Sequence, residues 1–218
     1  MIPTRILRAA EAHLSAADPV MAKLIAHFGP STLGRKARDP FHVICGSIIS
    51  QQLSTKAADT IQRRVAALLV APEDAFTPQH FAPASVESLR SCGLSNAKGK
   101  WLLELAARSI DGRFHGPTLA QMENEALVAE LDAIPGIGLW TAEMMLIFAF
   151  DRLDVFSMGD VGLRRSINQL YAPKGRDGKP KKLDEKKTLK IVKPWAPYRS
   201  VACWYLWRGI DGDISTWA

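Results

Sequence analysis

Between residues 131 and 160 the chain reads LDAIPGIGLWTAEMMLIFAFDRLDVFSMGD, and residues of two kinds in it could do chemistry. The first are Gly136 and Gly138, two apart and preceded by Pro135, at the join of two helical patterns. Glycine admits backbone conformations closed to other residues and removes side chains where something must come close. The amides of such a loop point outward at the start of the next helix. Free N–H groups and the positive end of the helix dipole then make an anion site, for which a phosphate is the natural guest. A tight helix–helix turn is the plainer reading, and a bare Pro-Gly-x-Gly favours it. The second kind is a carboxylate, Asp160, ahead of Val161-Gly162-Leu163-Arg164. By position it caps a helix. A carboxylate there can also stabilise developing positive charge or orient and deprotonate a water, and the two roles are compatible. Asp151 and Asp154 compete for that role, although both read as loop or cap residues.

Positioning these groups requires a core. The chain has 218 residues, 47% of them apolar, enough to bury most of its surface as one domain of two lobes or as two small domains. The net charge of +6 admits a polyanionic partner without requiring one. The excess is local: residues 174–193 hold nine Lys/Arg against three Asp/Glu. That stretch reads either as a solvated basic loop or as a phosphate-facing segment. Three distant cysteines, Cys45, Cys92 and Cys203, suggest neither a zinc site nor a disulfide framework. The five histidines show no ligand-like spacing, so no catalytic metal is expected. The first residues lack the apolar core of a signal peptide, and no run approaches the roughly 18 apolar residues of a membrane span. A cytoplasmic protein is the expectation.

The elements read as helices. Asp18, Asp39, Ser54, Ser95, Asp160 and Asp184 are placed as caps, and Ser85 opens a short helix that Gly93 stops. Thr118 with Gln121 resembles a capping box. Ala57, Ile61, Val65, Leu68 and Leu69 share one face of the helix after Ser54. Residues 174–183 read as a basic linker, and Pro197 begins the last helix. No apolar run alternates with period two, so an all-α protein of about ten helices is expected.

The string LxxIPGIGxWTA with Asp160 downstream resembles the helix–hairpin–helix DNA glycosylases (HhH-GPD). Three further stretches are similar to the 3-methyladenine DNA glycosylase II, or AlkA-type, branch. They are Ser47-Ile48-Ile49-Ser50-Gln51-Gln52-Leu53-Ser54, Gly93-Leu94-Ser95-Asn96-Ala97-Lys98, and Trp195 to Ser200 continuing through Trp207-Arg208. The resemblance implies one glycosylase domain over residues 1–218, with two helical lobes, a DNA-binding cleft, a helix–hairpin–helix at 131–150 and no β domain.

It also implies roles. Asp160 is the catalytic carboxylate, facing the sugar of a nucleotide turned out of the duplex. Gly136, Ile137, Gly138 and Thr141 hold the DNA backbone. Trp140 and Trp207, with Met144 and Val161, line the base pocket, where indole stacks a cationic, electron-poor methylated purine. Trp101 and Trp204 are left to the core. Gln52 or Leu53 is the wedge that fills the emptied position, and Arg199 either meets phosphate or pairs inside the fold. Bifunctional members carry a Schiff-base lysine where this chain has Trp140, which implies a monofunctional enzyme. With Cys203 alone in its region, no iron–sulfur cluster is expected. No cofactor is implied, though the family leaves room for a cation bridging hairpin carbonyls to phosphate. The expected partner is duplex DNA with damaged bases, bound by a monomer. The leading reading is excision of alkylated purines, 3-methyladenine first and 7-methylguanine second. The alternatives are a non-catalytic DNA-binding module and a glycosylase for neutral lesions such as uracil or hypoxanthine.

Overall fold

The computed structural model describes residues 1–35, 39–175 and 181–211. These residues form thirteen α-helices and one 3-10 turn, with no strand among them. Asp18, Asp39, Ser54, Ser85, Ser95, Asp160 and Asp184 each accept a backbone N–H from the first turn of the helix that follows. Helix starts were therefore legible, because a short acceptor side chain satisfies an amide that otherwise has no partner.

The chain divides into two compact units, residues 1–36 with 151–218, and residues 37–150. The first contains α1 (Thr4–Ala17), α2 (Pro19–Phe28), α11 (Val161–Tyr171), α12 (Glu185–Val192), the 3-10 turn Lys193–Trp195 and α13 (Arg199–Asp211). Here α13 packs on α11, α2 and α1. The second contains α3 (Pro40–Ser50), α4 (Thr55–Leu69), α5 (Pro78–Phe81), α6 (Val86–Ser91), α7 (Asn96–Ile110), α8 (Gly116–Leu119), α9 (Asn124–Asp132) and α10 (Leu139–Phe148). Its centre is α7, which takes α3, α5 and α6, while α10 lies against α9 and α3.

Five details depart from the sequence reading. Helix α1 was not anticipated, although its buried Leu7, Ala10, Glu11 and Leu14 follow helical spacing; Pro3 supplies no side-chain cap to mark its start. The one-turn helices α5 and α8 raise the count further. Thr118 does not cap a helix: it lies inside α8, with Oγ1 2.9 Å from His115 Nδ1. Leu68 is exposed and so falls off the face formed by Val65 and Leu69. Pro197 precedes α13 rather than opening it. Of the basic linker, residues 176–180 lie outside the described residues, and the Lys181 N–H donates to the Pro173 carbonyl across them. Among the described residues no helix is long and apolar enough to cross a membrane.

Asp18 organises the first unit. Its Oδ1 caps α2 by accepting from Val20 N and Met21 N, and its Oδ2 accepts from the Tyr171 hydroxyl and from Trp195 Nε1, both at 2.9 Å. Burial and the Asp18 charge push the Tyr171 phenol far up, so it stays a donor. Replacing Asp18 with alanine removes a cap and leaves an indole N–H and a phenol buried without an acceptor. The expected loss is about 3 kcal/mol of unfolding free energy, read from urea denaturation of Asp18→Ala against wild type.

Candidate active site

Asp160 ends the turn that leads into α11 and is buried, 7% exposed. Two donors converge on its Oδ1: the Leu163 N–H at 2.7 Å and Trp207 Nε1 at 3.2 Å. The first belongs to the helix that Asp160 caps; the second comes from α13, which packs along α11. Together they fix the plane of a carboxylate that burial would otherwise disfavour. Space is part of the design. A Cβ on Gly162 would lie 3.1 Å from Asp160 Oδ1 and 3.2 Å from Ile210 Cδ1, so any larger residue presses on the carboxylate. Cys203 lies close by, and burial followed by the Asp160 charge pushes its thiol well up, keeping it neutral.

The competing acids are committed elsewhere. Asp154 accepts from Arg199 Nε at 2.6 Å and Nη2 at 2.8 Å, a paired geometry that lowers its pKa. Arg199 therefore pairs inside the fold. Asp151 receives the N-terminal ammonium at 2.6 Å and adopts φ +53°.

The hairpin belongs to the second unit. Gly136 has φ +88°, and a Cβ there would lie 2.3 Å from Trp101 Cε3; the loop backbone rests directly on that indole. Gly138 differs from the sequence reading: its φ is −99° and nothing lies within 4 Å of an added Cβ, so neither conformation nor packing demands glycine. Gly138 is the N-cap of α10 and supplies no side-chain acceptor to its first turn. The Ile137 side chain is buried and its amide donates to the Ile134 carbonyl within the turn, which leaves its carbonyl as the group it could offer. Thr141 is buried too. Met144 is packed into the interior face of α10. Trp140, on the first turn of α10, is 48% exposed. Val161, beside Asp160, is 71% exposed.

Loop 51–54 joins α3 to α4. Gln52 and Leu53 are both exposed, and Gln52 adopts φ +57°. Gln51 Nε2 donates to the Gly136 carbonyl at 2.8 Å, tying this loop to the hairpin. That carbonyl keeps a second lone pair, and main-chain oxygens of this kind suit a hard cation. Among the described residues no group of His, Cys, Asp or Glu could hold a metal.

Trp207 and Asp160 thus come together as the aromatic and acidic residues of one site. Gly136, Gly138 and Trp140 share a hairpin, and Gln52 and Leu53 share a loop anchored to it. A model of the HhH-GPD superfamily of base excision DNA repair proteins matches residues 45–194. The chain belongs to that superfamily. It is 34% identical over 209 residues to DNA-3-methyladenine glycosylase 1 of Schizosaccharomyces pombe, covering 93% of this chain and 87% of the relative. The crystal structure of a DNA-3-methyladenine glycosidase from Bacillus halodurans superposes with TM-score 0.79 at 36% identity, covering 94% of this chain and 91% of that one. The S. pombe 3-methyladenine DNA glycosylase in complex with abasic DNA superposes at 0.78 with 31% identity, covering 94% and 98%. The sequence leaves Trp101 to the core, places Gln51 in the wedge loop without a contact of its own, and gives no individual role to Gly162 or Lys98. The indole under Gly136 becomes visible only when the α7 face meets the loop.

The two glycines of this HhH-GPD hairpin are expected to separate on substitution. Gly136→Ala meets Trp101 and an unfavourable φ, and should cost about 2 kcal/mol or more and weaken duplex binding. Gly138→Ala should change stability by less than about 0.5 kcal/mol. Thermal unfolding with binding titrations at fixed salt measures both.

Proposed function

We propose that this protein is a monofunctional DNA glycosylase that hydrolyses the N-glycosidic bond of alkylated purines, 3-methyladenine foremost and 7-methylguanine after it. The observation that carries the reading is the buried Asp160 carboxylate, fixed through one oxygen by its own helix and by the Trp207 indole. Capping α11 accounts for the Leu163 contact alone; the indole brought from α13 is a second restraint that a DNA-binding module does not require. The relatives named as 3-methyladenine glycosylases support the substrate class.

The reaction breaks the bond between C1′ and the base nitrogen, and water supplies the new C1′–oxygen bond. Positive charge develops on the sugar as the base departs. A preorganised carboxylate stabilises that charge and orients the water, then takes its proton. A base carrying an alkyl group on a ring nitrogen is already cationic. It leaves with the bonding electrons as a neutral molecule, so no general acid is required. Trp140 offers an exposed π surface on which such a cation stacks, favourable by roughly 0.5–2 kcal/mol. Trp140 also occupies the place where a lyase carries its lysine, which leaves no amine there to attack C1′ and cut the strand. The hairpin loop at the start of α10, where the helix dipole is positive, receives a backbone phosphate. A cation bound to the hairpin carbonyls would add positive charge to that contact and takes no part in bond cleavage. The protein acts as a monomer inside the cell.

Incubation with methylated duplex DNA, followed by chromatography of the released bases, tests the reading. Free 3-methyladenine is expected, with release from uracil- or hypoxanthine-containing duplexes slower by roughly tenfold or more. The product strand should stay intact until treated with alkali. Salt-dependent duplex binding without release of any base would instead identify a binding module.

A further inference from the structure

Lys98 stands in the first turn of α7, where positive charge opposes the helix dipole, and it is half-buried. Burial lowers its pKa from the ordinary lysine range, so the site works against the charge that it holds. The compensation comes from the end of another helix. Nζ donates to the Ile49 carbonyl at 2.9 Å and to the Gln51 carbonyl at 2.6 Å, two of the acceptors left over where α3 stops. Gln51 is held a second time through its side chain, which donates to Gly136. The next residue, Gln52, is exposed and sits at φ +57°, a strained conformation for a non-glycine residue that persists only where its surroundings impose it. A turn closed by Leu53 N–H on the Ser50 carbonyl completes the frame.

We propose that Lys98 and Gln51 are positioning residues that hold Gln52 outward as the group filling the gap left by an extracted base, and that they tie this group to the phosphate-gripping hairpin. The inference rests on the glycosylase reading above. The Lys98 clamp fixes the backbone on the α3 side of Gln52, and the Gln51–Gly136 bond sets its distance from the hairpin. A backbone grip at Gly136 therefore delivers Gln52 at a fixed offset along the duplex. The Gln52 amide, with two donors and an acceptor, can meet whichever base is left without a partner.

A fully paired duplex needs that group, whereas a mispaired site, already partly unstacked, needs it less. Single-turnover release of 3-methyladenine is measured from both substrates with wild type, Lys98→Met and Gln51→Leu, each checked for an unchanged melting temperature. The second variant leaves the Lys98 clamp in place and guards against a folding defect in the first. On the paired duplex each variant is expected to be slower by roughly tenfold, and at the mispaired site by less than about twofold. Equal slowing on both substrates, or slowing on neither, overturns the positioning role. A wild-type protein that releases base from neither overturns the glycosylase reading, and this inference with it.

Discussion

A buried carboxylate persists only where donors reach it, and the arrangement around Asp160 follows from that requirement. Oδ1 accepts from Leu163 N–H and from Trp207 Nε1, so one oxygen binds the acid both to α11 and to α13. Trp207 stands there because α13 runs along α11. Gly162 is small where a methyl group would press on the carboxylate. Cys203, close beneath, stays neutral and adds no second negative charge. Capping and catalysis thus call for the same geometry: an oriented carboxylate at the start of a helix.

The second unit solves a different problem. The DNA grip proposed for the hairpin calls for main-chain donors near the surface, and main chain is exposed by removing side chains and fixing the loop from below. Gly136 does both by lying on the Trp101 ring with a positive φ. Gln51 then links that loop to the one bearing Gln52, through a carbonyl of the same glycine. Strain at Gln52, opposed charge at Lys98 and a glycine pressed on an indole would each be a defect alone. Together they hold two loops in fixed register, in keeping with the concentration of local strain at functional sites.

Much of this was legible in the sequence, and the exceptions have physical causes. Caps could be read because a single acceptor at a fixed offset marks each one, as at Asp18, Ser95 and Asp160. Helix α1 was not read because Pro3 gives no such mark. The motif around Gly136 and Gly138 drew attention to both glycines, yet only packing separates them: one meets Trp101 and the other meets nothing. Ile137 looked like part of the phosphate loop, but its amide is spent inside the turn. Arg199 stayed undecided until Asp154 was found beside it, a contact between residues 45 apart in sequence. Lys98 and Gln51 stand in stretches that resemble the family, yet their contacts could not be read, because their partners are main-chain carbonyls, which every residue has.

The central claim is that the charge of Asp160 acts on the sugar. Asparagine at this position keeps an Oδ1 able to cap α11 and to accept from Trp207, and it replaces the charged carboxylate with a neutral amide whose second atom donates. Single-turnover base release from a 3-methyladenine duplex, measured for wild type and Asp160→Asn with enzyme in excess, isolates that difference. The account expects melting temperature and duplex affinity to be unchanged and the rate to fall by roughly a hundredfold or more, about 2.7 kcal/mol of transition-state stabilisation. A rate within about twofold of wild type would contradict it, leaving Asp160 a helix cap and nothing more.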